Sequence, residues 1–113
     1  MKKNRVAFVD KKIKNAFEEL KNGKTEEKDL AKLIDKALDE LEQNPLAGTR
    51  IPSNLWPKEY LKKYQITNLL KYDLKNGWRL IYTIKGNEIE ILSIILEWFS
   101  HKDYERRFGY KRS

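Results

Sequence analysis

The chain has 113 residues, a formal net charge of +7 and no cysteine, which leaves one domain and excludes disulfides, thiolate metal sites and a cysteine nucleophile. Residues 1–64 carry 15 basic and 11 acidic side chains (+4) and residues 65–113 carry 9 and 6 (+3), so a patch for a polyanionic partner has to be assembled by folding, not carried on a detached arm. A composition of 36% charged residues rich in lysine and glutamate fits adaptation to heat as well.

Arg5-Val-Ala-Phe-Val-Asp10 reads as a short strand. Asp10 then caps a helix over Lys11–Leu20, where Ile13, Ala16, Phe17 and Leu20 recur at helical spacing and Asn22-Gly23 closes the run. Thr25 opens a second helix, with Lys28 standing where a capping box wants an acid. Leu30, Leu33, Ile34, Ala37, Leu38 and Leu41 give it an apolar stripe, and Asn44-Pro45 stops it. The two helices are expected to form a hairpin on one face of a sheet. Residues 45–64, with three prolines, read as a long loop of the kind that often carries function. Strands follow at 66–74, 77–85 and 88–96, the first two joined by Asn76-Gly77, a specific hairpin signal. The fold expected is α+β, ordered β-α-α-β-β-β, with the helical hairpin on a small, mostly antiparallel sheet of about four strands and the first strand parallel to a neighbour. It forms one domain over 1–113. No apolar run approaches the ~20 residues that cross a bilayer, and the basic start lacks the apolar run of a secretory leader. A cytoplasmic protein with no membrane partner is expected.

Alternation over 77–85 puts Trp78, Leu80, Tyr82 and Ile84 on one face and Arg79, Ile81, Thr83 and Lys85 on the other. The tryptophan set is the core candidate, so Arg79 and Lys85 are expected on an open face. Arginine's planar fork suits a phosphate; it equally suits a pairing with Asp73 or Glu90, and the sequence leaves both open. His101 is the only histidine, the side-chain type that titrates near neutrality and serves as general acid or base. Tyr104, Phe108 and Tyr110 offer faces for a base, Phe108 reading better as core. Arg79, His101 and Tyr104 can therefore meet on one small sheet as a catalytic set. Trp56, Lys58, Lys85, Lys102, Arg106 and Arg107 are the further candidate RNA contacts. Cleavage of RNA needs no metal, because the ribose 2′-hydroxyl can be the nucleophile. The chain offers no His/Cys cluster, glycine-rich phosphate loop or nucleophile elbow, and neither metal nor cofactor is expected.

Four stretches resemble the RelE/ParE superfamily of toxins from toxin–antitoxin pairs: Leu55-Trp-Pro-Lys-Glu-Tyr60, Asn68-Leu-Leu-Lys-Tyr-Asp-Leu74, Gly77-Trp-Arg-Leu-Ile-Tyr82 and Glu97-Trp-Phe-Ser-His-Lys-Asp-Tyr-Glu-Arg-Arg-Phe-Gly-Tyr110. The resemblance is closest to a RelE-type subfamily of mRNA interferases. It implies a toxin that cuts mRNA, usually at the ribosome, and that is held inactive by a cognate antitoxin. Arg79 matches the family's phosphate-contacting strand arginine, and His101 with Tyr104 its C-terminal His-x-x-Tyr pattern. Where ribonuclease members carry a glutamate or extra lysines, Glu59, Lys58, Lys62, Lys63 and Lys71 stand without a clear match. The alternative is a non-catalytic binding protein of the same fold, such as a ParE-like inhibitor of DNA gyrase or an RNA-binding accessory domain.

Overall fold

Asp10 sets where the first helix begins: its carboxylate accepts from the Ile13 N–H at 2.9 Å, satisfying one of the amides that a helix start leaves unpaired. The structure, a computed structural model, describes residues 2–109. In chain order the elements are β1 (Lys3–Phe8), α1 (Lys11–Lys21), α2 (Thr25–Gln43), β2 (Thr49–Arg50), α3 (Lys58–Tyr64), β3 (Leu70–Asp73), β4 (Arg79–Gly86), β5 (Glu90–Phe99) and α4 (His101–Phe108). They build an α+β domain on a mixed sheet ordered β1-β5-β4-β3-β2. β1 runs parallel to β5, and the remaining pairings are antiparallel. Among the described residues the sheet has five strands, one more than expected; the addition is the two-residue β2.

Helices α1 and α2 cover one sheet face. Their apolar stripes meet β4 and β5 in a core of Phe17, Leu30, Ile34, Ala37, Leu41, Leu80, Tyr82 and Ile95. The cap of α2 lies one residue earlier than expected, at Lys24, whose N–H donates to the Glu27 carboxylate at 3.0 Å. That shift makes Glu27 the acid of the capping arrangement that the Thr25 reading lacked.

The segment 45–64 is not a structureless loop. It holds β2 and α3, and Tyr82 ties it down. The Tyr82 hydroxyl donates to Pro45 O at 2.8 Å and accepts from the Gly48 N–H at 3.0 Å. A side chain at residue 48 would meet Lys71 O and Tyr82 Oη within 2.6 Å, so only glycine permits this approach. Strand β3 starts at Leu70 and not at 66, because Asn68 replaces the missing ladder with its side chain. Its amide donates to Ile84 O and accepts from Ile84 N–H, each at 2.8 Å. The Thr83 hydroxyl adds a bond to Asn68 O at 2.7 Å.

The face expected to be open is covered. Helices α3 and α4 pack a second core there from Ile51, Tyr60, Ile66, Leu69, Ile81, Leu96, Tyr104 and Phe108. β4 is therefore buried on both sides, which its composition permits and its alternation does not announce. We expect Ile34→Ala, at a side chain with no exposure, to lower stability by about 2–5 kcal/mol in denaturant unfolding.

Candidate active site at the Arg79–His101 junction

The Asn76-Gly77 turn places the site. Asn76 (φ 62°) and Gly77 (φ 81°) both take positive φ, the requirement of the tight hairpin turn that matches strand twist. The turn brings Arg79 back beside β3, opposite Asp73, and beside the end of β5, opposite Phe99. At that end Ser100 caps α4, its hydroxyl accepting from the Asp103 N–H at 3.2 Å. His101 is thus the first residue of a helix, set down next to the turn.

Arg79 and His101 touch. Arg79 Nη2 lies 3.3 Å from His101 Nδ1, and the guanidinium stands 5.7 Å over the Tyr104 ring. Arg79 Nη1 donates to Gly77 O at 2.7 Å. Nε is 2.9 Å from Asp73 Oδ1, but its N–H is not aimed at that oxygen, so the contact is an ion pair, not a hydrogen bond. Asp73 also receives Lys71 Nζ at 2.9 and 3.1 Å. Of the two openings left by the sequence, the pairing with Asp73 is present, and Nη2 is turned to the histidine. On the far side of the imidazole, Nε2 is 3.6 Å from Glu105 Oε1, one helical turn on. The His101 side chain is about half exposed and reachable from solvent.

Tyr104 corrects the stacking expectation. It is buried, with Phe108 stacked at 4.6 Å and Arg79 over the ring. Its faces are occupied within the protein, so it supports the guanidinium instead of offering a platform to a base. Tyr110 lies outside the described residues.

The other candidate contacts do not gather at this point. Trp56 packs on the second core with its indole N–H on Ile51 O at 2.8 Å. Arg107 turns to α3, 3.1 Å from Glu59 and 5.5 Å over the Tyr60 ring. Lys58 is exposed at the start of α3, and Lys102 is exposed on α4 beside His101. Arg106 is exposed 3.8 Å from Asp103. Lys85 stands six residues along β4 from Arg79, roughly 20 Å away at strand rise. It lines a separate 340 Å³ pocket with Val9, Asp10 and Lys63.

Sequence alternation missed Glu97. Pairing slips between Ile81 and Tyr82, whose partners are Glu97 and Ile95, so Leu96 is an extra residue and β5 bulges. The bulge turns Glu97 to the second core, where Tyr60 Oη donates to its carboxylate at 2.6 Å. The available signal was an acid inside the apolar run Ile94-Ile-Leu-Glu-Trp-Phe99. Burial, with the Glu97 bond second, pushes the Tyr60 phenol well above its ordinary value. Below about pH 10 the phenol is neutral in folded and unfolded chains alike. Above that the unfolded chain ionises first and stability falls as pH rises. Tyr60→Phe is expected to be less stable at neutral pH yet to lose less stability between about pH 10 and 11, as read from thermal melts.

A family model described as the ParE toxin of type II toxin-antitoxin systems, parDE, matches residues 8–96. Fold and match together define a type II toxin of the RelE/ParE superfamily. The chain belongs to the ParE toxin family, which implies a cognate antitoxin as partner. No curated protein and no solved structure matches significantly. Arg79 lies inside the matched span, whereas His101 and Tyr104 follow it. Among the described residues no helix is long and apolar enough to cross a membrane, and no group of three or more metal-ligating side chains occurs.

Gly77 offers a test of the site's geometry that spares its functional groups. A Cβ there would lie 3.0 Å from His101 Cβ at φ +81°. Gly77→Ala is expected to cost about 1–2 kcal/mol and to shift the His101 ring resonances in NMR spectra.

Proposed function

We propose that this toxin is a metal-independent endoribonuclease that cleaves mRNA, with the ribosome as the setting in which it meets its substrate. The contact between Arg79 Nη2 and His101 Nδ1 at 3.3 Å carries the reading. It puts a cation suited to a phosphate beside a half-exposed imidazole, the two groups that transesterification by a 2′-hydroxyl needs.

In the resting arrangement the arginine N–H donates to Nδ1, so the neutral ring carries its proton on Nε2, toward Glu105. When a phosphate arrives, the Nη2 donor turns to a phosphate oxygen and Nδ1 is released as a base. It takes the 2′-hydroxyl proton as the 2′-oxygen bonds to phosphorus, and the bond from phosphorus to the 5′-oxygen breaks. The products are a 2′,3′-cyclic phosphate and a 5′-hydroxyl, whose proton returns from the imidazolium. Glu105 stabilises that imidazolium, as an orienting carboxylate does in a triad. Tyr104 holds the guanidinium from below, and Lys102, next to His101 on α4, is a candidate RNA contact. The gyrase-inhibitor reading keeps one observation of its own: the matched family is named for ParE, and the match ends before His101.

Removal of a positioned base ordinarily lowers rate by 10²–10⁴-fold. His101→Ala and Arg79→Ala are each expected to lose about that much transcript cleavage and to relieve growth arrest on induction. Transcript ends mapped by sequencing, with the DNA-damage response recorded in parallel, decide the matter. Cuts bearing cyclic phosphate support the reading. Damage without cuts, or full toxicity in folded mutants, selects the gyrase inhibitor.

A further inference from the structure

Two of the three nitrogens of Arg79 find acceptors. Nη1 donates to Gly77 O at 2.7 Å, and Nη2 faces His101 Nδ1 at 3.3 Å. Nε is different. It is buried with Asp73 Oδ1 only 2.9 Å away, yet its N–H has no acceptor. A buried donor left unbonded is costly, and a hydrogen bond weakens steeply once the N–H points away from the acceptor. The heavy atoms already stand at bonding distance, so only the direction is missing. A turn of the guanidinium plane about its own stem supplies it.

The carboxylate that would receive this bond is itself fixed. Strand β2 pairs no further along β3 than Lys71, so Asp73 stands at an open stretch of the edge and its side chain is 55% exposed. Lys71, two residues back on the same face, donates to both of its oxygens, at 2.9 and 3.1 Å. The register sets Asp73 directly opposite Arg79. The guanidinium is kept off that line from the other end of the fork, where Nη2 engages the imidazole while Nη1 engages the turn. Once a phosphate oxygen takes Nη2, the plane is free of the imidazole and the Nε–H can swing onto Oδ1.

We propose that Asp73 is a positioning residue for Arg79: its bond to Nε closes when a phosphate draws Nη2 off His101, so that one movement seats the arginine and frees the base. The role rests on the ribonuclease reading for its substrate and ties substrate arrival to release of Nδ1. A bond made only in the loaded site favours the bound state over the free one. Charge alone predicts the reverse, because a carboxylate repels a phosphate and its removal should tighten binding.

The test titrates the full chain with a 2′-deoxy tetranucleotide, which carries the phosphodiester but lacks the 2′-hydroxyl nucleophile. The Arg79 Nε–H resonance is followed by NMR. It is expected to move downfield on binding in the native chain and in Asp73→Asn, which keeps an acceptor oxygen, and to stay in place in Asp73→Ala. Affinity for the same strand should fall about tenfold or more in Asp73→Ala, and by less in Asp73→Asn. Equal or tighter binding in Asp73→Ala would overturn the role. So would a movement that persists in Asp73→Ala, or a resonance already downfield in the free chain. Should Asp73→Ala fail to fold, the native titration decides: a moving resonance sustains the role and a stationary one overturns it. Cleavage of the matching RNA by the native chain is scored separately. Movement without cleavage ends the ribonuclease reading and leaves Asp73 its role toward a phosphate; cleavage with a stationary resonance ends the role of Asp73 alone.

Discussion

Strand β4 is clad on both faces, and the rest of the molecule is arranged around that constraint. Leu80, Ile81 and Tyr82 are fully buried in succession and Thr83 nearly so. Such a strand needs cover from two layers. The helical hairpin supplies one, and α3 with α4 supplies the other. Docking of α4 to close the second layer is what carries His101 to Arg79. The site is therefore a by-product of burial: Tyr104 and Phe108 enter the core, and the histidine three residues before Tyr104 is held at the rim.

The electrostatics of the site follow from the same geometry. Arg79 is mostly buried, and a buried guanidinium must be satisfied. Gly77 O and His101 accept from it and Asp73 balances its charge, while the Nε–H stays without an acceptor. Only His101 is a group that a substrate could replace without unpicking the turn or the strand pairing. One side of the fork is thus structural, while the other is held only by the half-exposed imidazole. The bulge at Leu96 performs a comparable service on the neighbouring strand, feeding Glu97 to Tyr60 and so fastening β5 to α3.

Charge is distributed by layer. On α4 the arginines are paired with acids, Arg106 with Asp103 and Arg107 with Glu59 of α3, and Arg107 serves packing as much as surface charge. On α2 the lysines stand unpaired. The net +7 does not lie on the helical layer, where residues 11–43 carry 8 basic and 9 acidic side chains (−1).

Much of this was legible in the sequence. The two helices of the hairpin layer, the turn at Asn76-Gly77, the tryptophan-bearing core face and the candidate trio Arg79, His101 and Tyr104 follow from periodicity, turn chemistry and residue type, because those are local properties. What tertiary structure alone decided is which surfaces are left over. Nothing local says that 45–64 folds into β2 and α3, that Asn68 truncates β3, or that the Arg79 face is roofed by α4. Each depends on contacts between residues distant in the chain, such as Tyr82 with Pro45 and Tyr60 with Glu97. For the same reason the family resemblance could point to Tyr104, while only the packing shows its ring buried between Phe108 and Arg79. A residue's type fixes the chemistry it can perform; only the packing around it fixes which of its faces is still free.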